Sequence, residues 1–118
     1  MNNTTMNNQE TAAAIAGSLE IKTEMGREII PIVLECLDLF DKKQQDYGSR
    51  NIAPFDDRDL NMLGVAFRLN DKVQRMMNLL VNRVKSNGEP NNESIKDTAT
   101  DIHNYGTILS ALEQGIWK

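Results

Sequence analysis

Apolar residues recur every three or four positions over long stretches of this chain, and nowhere do they alternate with period two. That periodicity restricts the fold to packed helices, each burying one stripe. From about Arg27 to Asp46 the repeat is Ile29, Ile30, Val33, Leu34, Leu37 and Phe40. Pro31 sits in its first turn, where a missing N–H costs least. From about Asp59 to Lys85 the stripe is Leu60, Leu63, Phe67, Met76, Met77, Leu80 and Val84, with Gly64 expected to mark a close helix contact. From about Asn92 to Gly115 the inner face is Ile95, Ala99, Ile102, Gly106, Leu109 and Leu112. A weaker helix is expected from Thr11 to about Met25, weakened or broken by Gly17 and Gly26. The expected fold is all-α: a three- to four-helix bundle with a short N-terminal helix or arm.

The breaks between helices arise from local chemistry. Tyr47-Gly48 ends the first strong helix, with glycine available for a left-handed cap. Residues 48–58 read as a polar loop, and Asp56 and Asp57 are expected to cap the helix that begins near Asp59. Ser86 to Pro90 is a second break, after which Asn92 can cap and Glu93 complements the helix dipole. Residues 1–9 are rich in Asn and Thr and read as an arm. Residues 1–26 are thus expected to form an arm and weak helix, and 27–118 the helical domain.

Composition narrows the function classes. A chain of 118 residues that is 40% hydrophobic favours one core. A net charge of −4 argues against binding long nucleic acid, which needs a basic surface, but leaves room for a local basic pocket. The single cysteine, Cys36, falls in an apolar helical stretch and reads as core; with no intrachain disulfide available, a reducing cytoplasm is expected. His103 has no thiol partners for a zinc site. The first residues carry no basic or apolar leader pattern, and no apolar run approaches the ~20 residues of a membrane span.

Two helical faces carry concentrated charge. Arg68, Asp71, Lys72 and Arg75 are spaced to share one face, as are Asp97, Asp101, Asn104 and Tyr105. Arginine offers phosphate a fork and lysine a compact charge. Asp97 and Asp101, one turn apart, can share a hard cation, and magnesium takes only one or two protein carboxylates. Asp71 is a third metal candidate. Set against this, Arg68, Asp71 and Arg75 can equally form a network tying helices together, and Asp97 and Asp101 an exposed face. A third group, Lys42, Lys43, Asp46, Tyr47, Gly48 and Asn51, combines a turn with an aromatic that can stack on a base. Glu35 and Asp38 share a face upstream, and with Asp97 and Asp101 would make four carboxylates on two helices. No nucleophilic triad, phosphate loop or CxxC pair is present.

In series, these groups resemble the nucleotide modification associated domain family of phages and bacteria. The motifs are Asp46-Tyr47-Gly48, then Arg68-x-x-Asp71-Lys72-x-x-Arg75, then Asp97-x-x-x-Asp101-x-x-x-Tyr105, over roughly residues 35–113. The resemblance implies a role in nucleotide metabolism or base modification. It extends to the all-α nucleoside triphosphate pyrophosphohydrolases of the MazG and dimeric dUTPase type, which hold magnesium on ExxE and ExxD pairs. Glu35-x-x-Asp38 matches the first pair loosely, and Asp97 and Asp101 are spaced by four where the second pair has three. The expectations are a nucleotide or cyclic-nucleotide ligand, magnesium as cofactor, and a homo-oligomer. Phosphates would lie on Arg68, Lys72, Arg75 and Lys43; base or ribose on Asp46, Tyr47, Asn51 and Tyr105; metal on Asp97, Asp101 and Asp71. Two activities fit: magnesium-dependent pyrophosphohydrolysis, or capture of a cyclic-nucleotide or ADP-ribose-type immune signal without cleavage, as a phage anti-defence protein in the host cytoplasm would do.

Overall fold

A computed structural model describes residues 7–87 and 92–118, the side chains of Asn92 and Glu93 excepted. Most of the expected arm, residues 88–90 of the second break, and the capping role of Asn92 and Glu93 lie outside the described residues. The architecture is an all-α helical bundle with no strand among the described residues. It divides into two compact units, Met1–Lys42 and Lys43–Lys118.

The first unit holds two short helices and most of a third. α1 runs Asn8–Ser18 and is capped by Asn7, whose side chain accepts the Glu10 N–H at 2.8 Å. It ends where Glu20 turns to φ 53°. α2, Glu24–Glu28, is capped by the Thr23 hydroxyl, which accepts the Gly26 N–H at 2.9 Å. Gly26 is needed there: a Cβ would sit 2.6 Å from that same hydroxyl oxygen and 2.9 Å from Ile21 Cγ2. α3 runs Ile30–Tyr47, with Pro31 in its first turn as expected. Cys36 is buried, as its apolar context indicated.

The second unit begins in the last turns of α3. Gly48, at φ 73°, breaks that helix, and its N–H still donates to Gln44 O at 2.9 Å. A 3-10 turn at Ser49–Asn51 comes next. α4 runs Arg58–Lys85 and α5 Asn92–Glu113. Asp57 caps α4, its carboxylate accepting the Leu60 N–H at 3.0 Å. The two long helices pack as an antiparallel hairpin. Arg58 reaches Glu113 at 3.9 Å near one end, and Lys72 reaches Asp101 at 3.0 Å further along. Val65, Ile108 and Leu112 are buried in this unit.

Two ties hold the loop before α4. The Asn61 carboxamide lies within α4 and is buried; its oxygen accepts the Phe55 N–H at 2.9 Å and its nitrogen donates to Phe55 O at 2.8 Å. Beyond α5, the Trp117 indole N–H donates to Ser49 O at 3.1 Å.

The three long helices lie close to where periodicity places them, the first starting at Ile30 rather than Arg27. The weak helix expected from Thr11 to about Met25 is two, Asn8–Ser18 and Glu24–Glu28, and the buried faces of α4 and α5 are rotated. On α4 the buried positions are Asn61 and Val65, with Leu69, Lys72 and Met76 partly covered, whereas Leu60, Leu63, Phe67, Met77 and Val84 are exposed. On α5 the buried positions are Thr98, Asn104, Ile108 and Leu112, while Ala99 and Gly106 are exposed. Gly64 makes no close helix contact: no neighbouring heavy atom lies within 4 Å of where its Cβ would be. Gly106 has the same open surroundings inside α5. Gly106→Ala is therefore expected to stabilise the fold by about 0.5–1 kcal/mol, because it lowers the entropy of the unfolded chain without a clash. A melting temperature unchanged or lowered would contradict this.

Candidate functional site: a lysine pair on Asp101

Asp101 sits in the middle of α5 with its side chain 19% exposed, and it faces two ammonium groups. Lys72 Nζ from α4 approaches Oδ2 at 3.0 Å; Lys43 Nζ from the last turns of α3 approaches Oδ1 at 3.3 Å. Each carboxylate oxygen thus holds one cation. Lys72 is part of the α5-facing side of its helix, which explains its partial cover, while Lys43 is half exposed. The pair with the half-exposed Lys43 is worth at most about 1 kcal/mol. Two ammonium groups against one carboxylate leave an uncompensated positive charge. An ammonium also has three donors, and the Asp101 contact occupies one on each lysine.

The antiparallel register organises the neighbouring candidates around this centre. Arg68 lies one turn before Lys72 and Tyr105 one turn after Asp101, so the two share a level of the hairpin. Arg75 and Asp97 lie on the other side of the Lys72–Asp101 pair. Arg68, Arg75 and Asp97 are exposed, and Tyr105 is partly covered. Arg68, Asp71 and Arg75 form no ion pair with one another among the described residues; in this part of the hairpin Lys72 joins the two helices, as Arg58 does at one end. From Lys43 the chain continues to Asp46, Tyr47 and Asn51, all exposed, with Tyr47 at 64%. These residues share the second unit with the lysine pair.

Other candidates are placed elsewhere. Glu35 and Asp38 belong to the first unit, are exposed, and Asp38 pairs with Lys42 one turn on at 3.1 Å. The His103 Nδ1 lies 3.2 Å from Asn104 Oδ1. Asp71 is exposed on α4. Among the described residues no group of three or more His, Cys, Asp and Glu side chains is gathered closely enough to share a metal. A magnesium ion on Asp101 would share the carboxylate oxygens with two ammonium groups already in place.

Asn61 and Trp117 are not signalled by spacing as parts of this region. The signal for Asn61 is a polar residue on the face of α4 that its neighbours bury. No helix of the described residues is long and apolar enough to cross a membrane. Comparison with family models, curated proteins and solved structures found no significant match.

Proposed function

We propose that this chain binds a nucleotide or cyclic nucleotide through its phosphates and holds it without cleaving it. The observation that carries this reading is the convergence of Lys43 and Lys72 on Asp101. A phosphate oxygen set at the mouth of this pair gains the free donors of both lysines, while Asp101 keeps the ammonium groups in place. Arg68 and Arg75 extend the positive field along α4, and Tyr47 or Tyr105 offers an aromatic face to a base. The resemblance of the motif series to the nucleotide-associated family supports the choice of ligand class. The engaged state of Asp101 supports capture over magnesium-dependent hydrolysis. A protein of this kind would act by withdrawing a nucleotide signal from solution, the anti-defence role that is the second of the two activities fitting the sequence.

The test is a thermal-shift screen of nucleotides and cyclic nucleotides, with and without magnesium, and then mass spectrometry of the recovered ligand. A ligand at one hundred times its Kd stabilises by about 2.7 kcal/mol, which for a small domain is a shift on the order of 10 °C. Recovery of the intact ligand is the expected result. Monophosphate and pyrophosphate in the eluate would replace capture with hydrolysis, and no shift with any nucleotide would end the binding reading.

A further inference from the structure

Lys43 Nζ reaches Asp101 at 3.3 Å with its side chain half exposed. An ion pair of that exposure is weak, and a lysine has many other rotamers to occupy. Where Lys43 points therefore depends on what fixes the backbone beneath it. That backbone is tied to the α4–α5 hairpin from just beyond the end of α3. Tyr47 is the last helical residue, and the Gly48 N–H still donates to Gln44 O at 2.9 Å. Gly48, at φ 73°, turns the chain into the 3-10 turn Ser49–Asn51. The Ser49 carbonyl then accepts the Trp117 indole N–H at 3.1 Å, a part-buried bond between residues 68 positions apart. The links are few: Trp117 to Ser49, Gly48 to Gln44, and Gln44 next to Lys43.

The far end of this tie is anchored in turn. Past the end of α5 at Glu113, Gly115 takes the left-handed conformation at φ 73°. Its N–H donates to Leu112 O at 3.1 Å, and the Ile116 N–H donates to Ala111 O at 3.1 Å. These are the two bonds of a Schellman cap, which turns the chain off the helix axis. Arg58, in the first turn of α4, donates from Nη1 to Glu113 O at 3.1 Å and holds the same end. Trp117 follows two residues after Gly115, partly buried between the exposed Ile116 and Lys118. Its indole nitrogen is a donor only, and its one N–H is given to Ser49. A ring that served only as apolar cover would need no such bond.

We propose that Trp117 is a positioning residue for Lys43. It fixes the end of α3 against the hairpin at the place from which this lysine meets Asp101. Without the tie, the last turns of α3 move away and Lys43 leaves the carboxylate. Lys72 stays, because it reaches Asp101 directly across the α4–α5 hairpin at 3.0 Å. The two lysines of the cluster thus respond differently to one change at a residue that touches neither the ammonium groups nor the carboxylate they share. Only the use of Lys43 once it is placed rests on the nucleotide reading; its placement does not.

Trace acetylation of the ligand-free protein, read by peptide mass spectrometry, measures both amines at once. Trp117→Phe keeps an aromatic ring and removes the N–H. In this variant Lys43 labelling is expected to rise severalfold while Lys72 labelling stays unchanged. Gly115→Ala strains the turn that aims Trp117, with no neighbouring atom within 4 Å to clash with, and should move Lys43 in the same direction. If Trp117→Phe loses its helical circular dichroism, Gly115→Ala decides. Lys43 labelling unchanged in the folded variants, or a parallel rise at Lys43 and Lys72, would overturn the proposal. With ATP as the binding probe, Trp117→Phe should weaken affinity about tenfold, as Lys43→Ala does, and the double variant no further. A loss of about a hundredfold in the double variant would show that Trp117 acts apart from Lys43, and would overturn the proposal as well. A wild type that does not bind ATP, with Lys43 labelling that still rises, would count against the nucleotide reading and leave the positioning standing.

Discussion

Replacing Asn61 by alanine is expected to destabilise the second unit by about 2–3 kcal/mol, more than any other single polar truncation there. The carboxamide makes two hydrogen bonds at 2.8 and 2.9 Å, both to the backbone of Phe55. Each such bond contributes about 1 kcal/mol net. The larger effect is what the truncation leaves behind: a Phe55 N–H and C=O that lose their part-buried partner. Asn61→Asp is the informative companion. It keeps an acceptor for the Phe55 N–H but sets a carboxylate oxygen against the Phe55 carbonyl, so it should be destabilised nearly as much as alanine. Denaturant titration monitored by circular dichroism measures both. Alanine within ~0.5 kcal/mol of wild type would show that the loop is held by other contacts.

Removing both lysines of the Asp101 cluster should weaken ligand binding about a hundredfold while leaving the fold nearly intact. Lys43→Ala or Lys72→Ala alone is expected to weaken phosphate affinity on the order of tenfold, the scale of one charge-assisted hydrogen bond, and the pair about a hundredfold. Lys72 should matter more, because its greater cover strengthens its field. Asp101→Asn separates the two readings of the site. If Asp101 only seats the ammonium groups, removing its charge leaves the positive field stronger, and affinity for a nucleotide is kept or raised without magnesium. If Asp101 ligates magnesium, the magnesium-dependent part of binding disappears. Isothermal titration of the four variants, with and without the metal, distinguishes these outcomes. Unaltered affinity in the double lysine variant would move the site elsewhere.

The helices were legible because period is a local property, and local signals fixed their ends at Asp57, Gly48 and Pro31. Their orientation was not. α4 carries two stripes, and the more hydrophobic one, through Leu60, Leu63 and Phe67, is the one the chain leaves in water. Apolar content ranks what gains by leaving water; it does not say which neighbour covers it. The face that packs on α5 is built on Asn61, Val65 and Lys72, whose polar members hide it from a periodicity argument. The same limit applies to the site. Helical spacing sets Lys72 near Arg68, Asp71 and Arg75 along α4, and Asp101 near Asp97, Asn104 and Tyr105 along α5. It had no means to join Lys43 to Asp101, 58 positions away. That contact depends on how the end of α3 meets α5, which is a tertiary fact.

The chain contains one tryptophan, and its indole N–H is fastened to Ser49 beside the turn just after Tyr47. Its emission therefore reports on the segment that follows Lys43 of the lysine cluster, through Tyr47 to Ser49. Binding that reorders this segment would change the colour or intensity of a signal that needs no label, no mutation and no second chromophore. The molecule carries its own indicator for the event proposed for it.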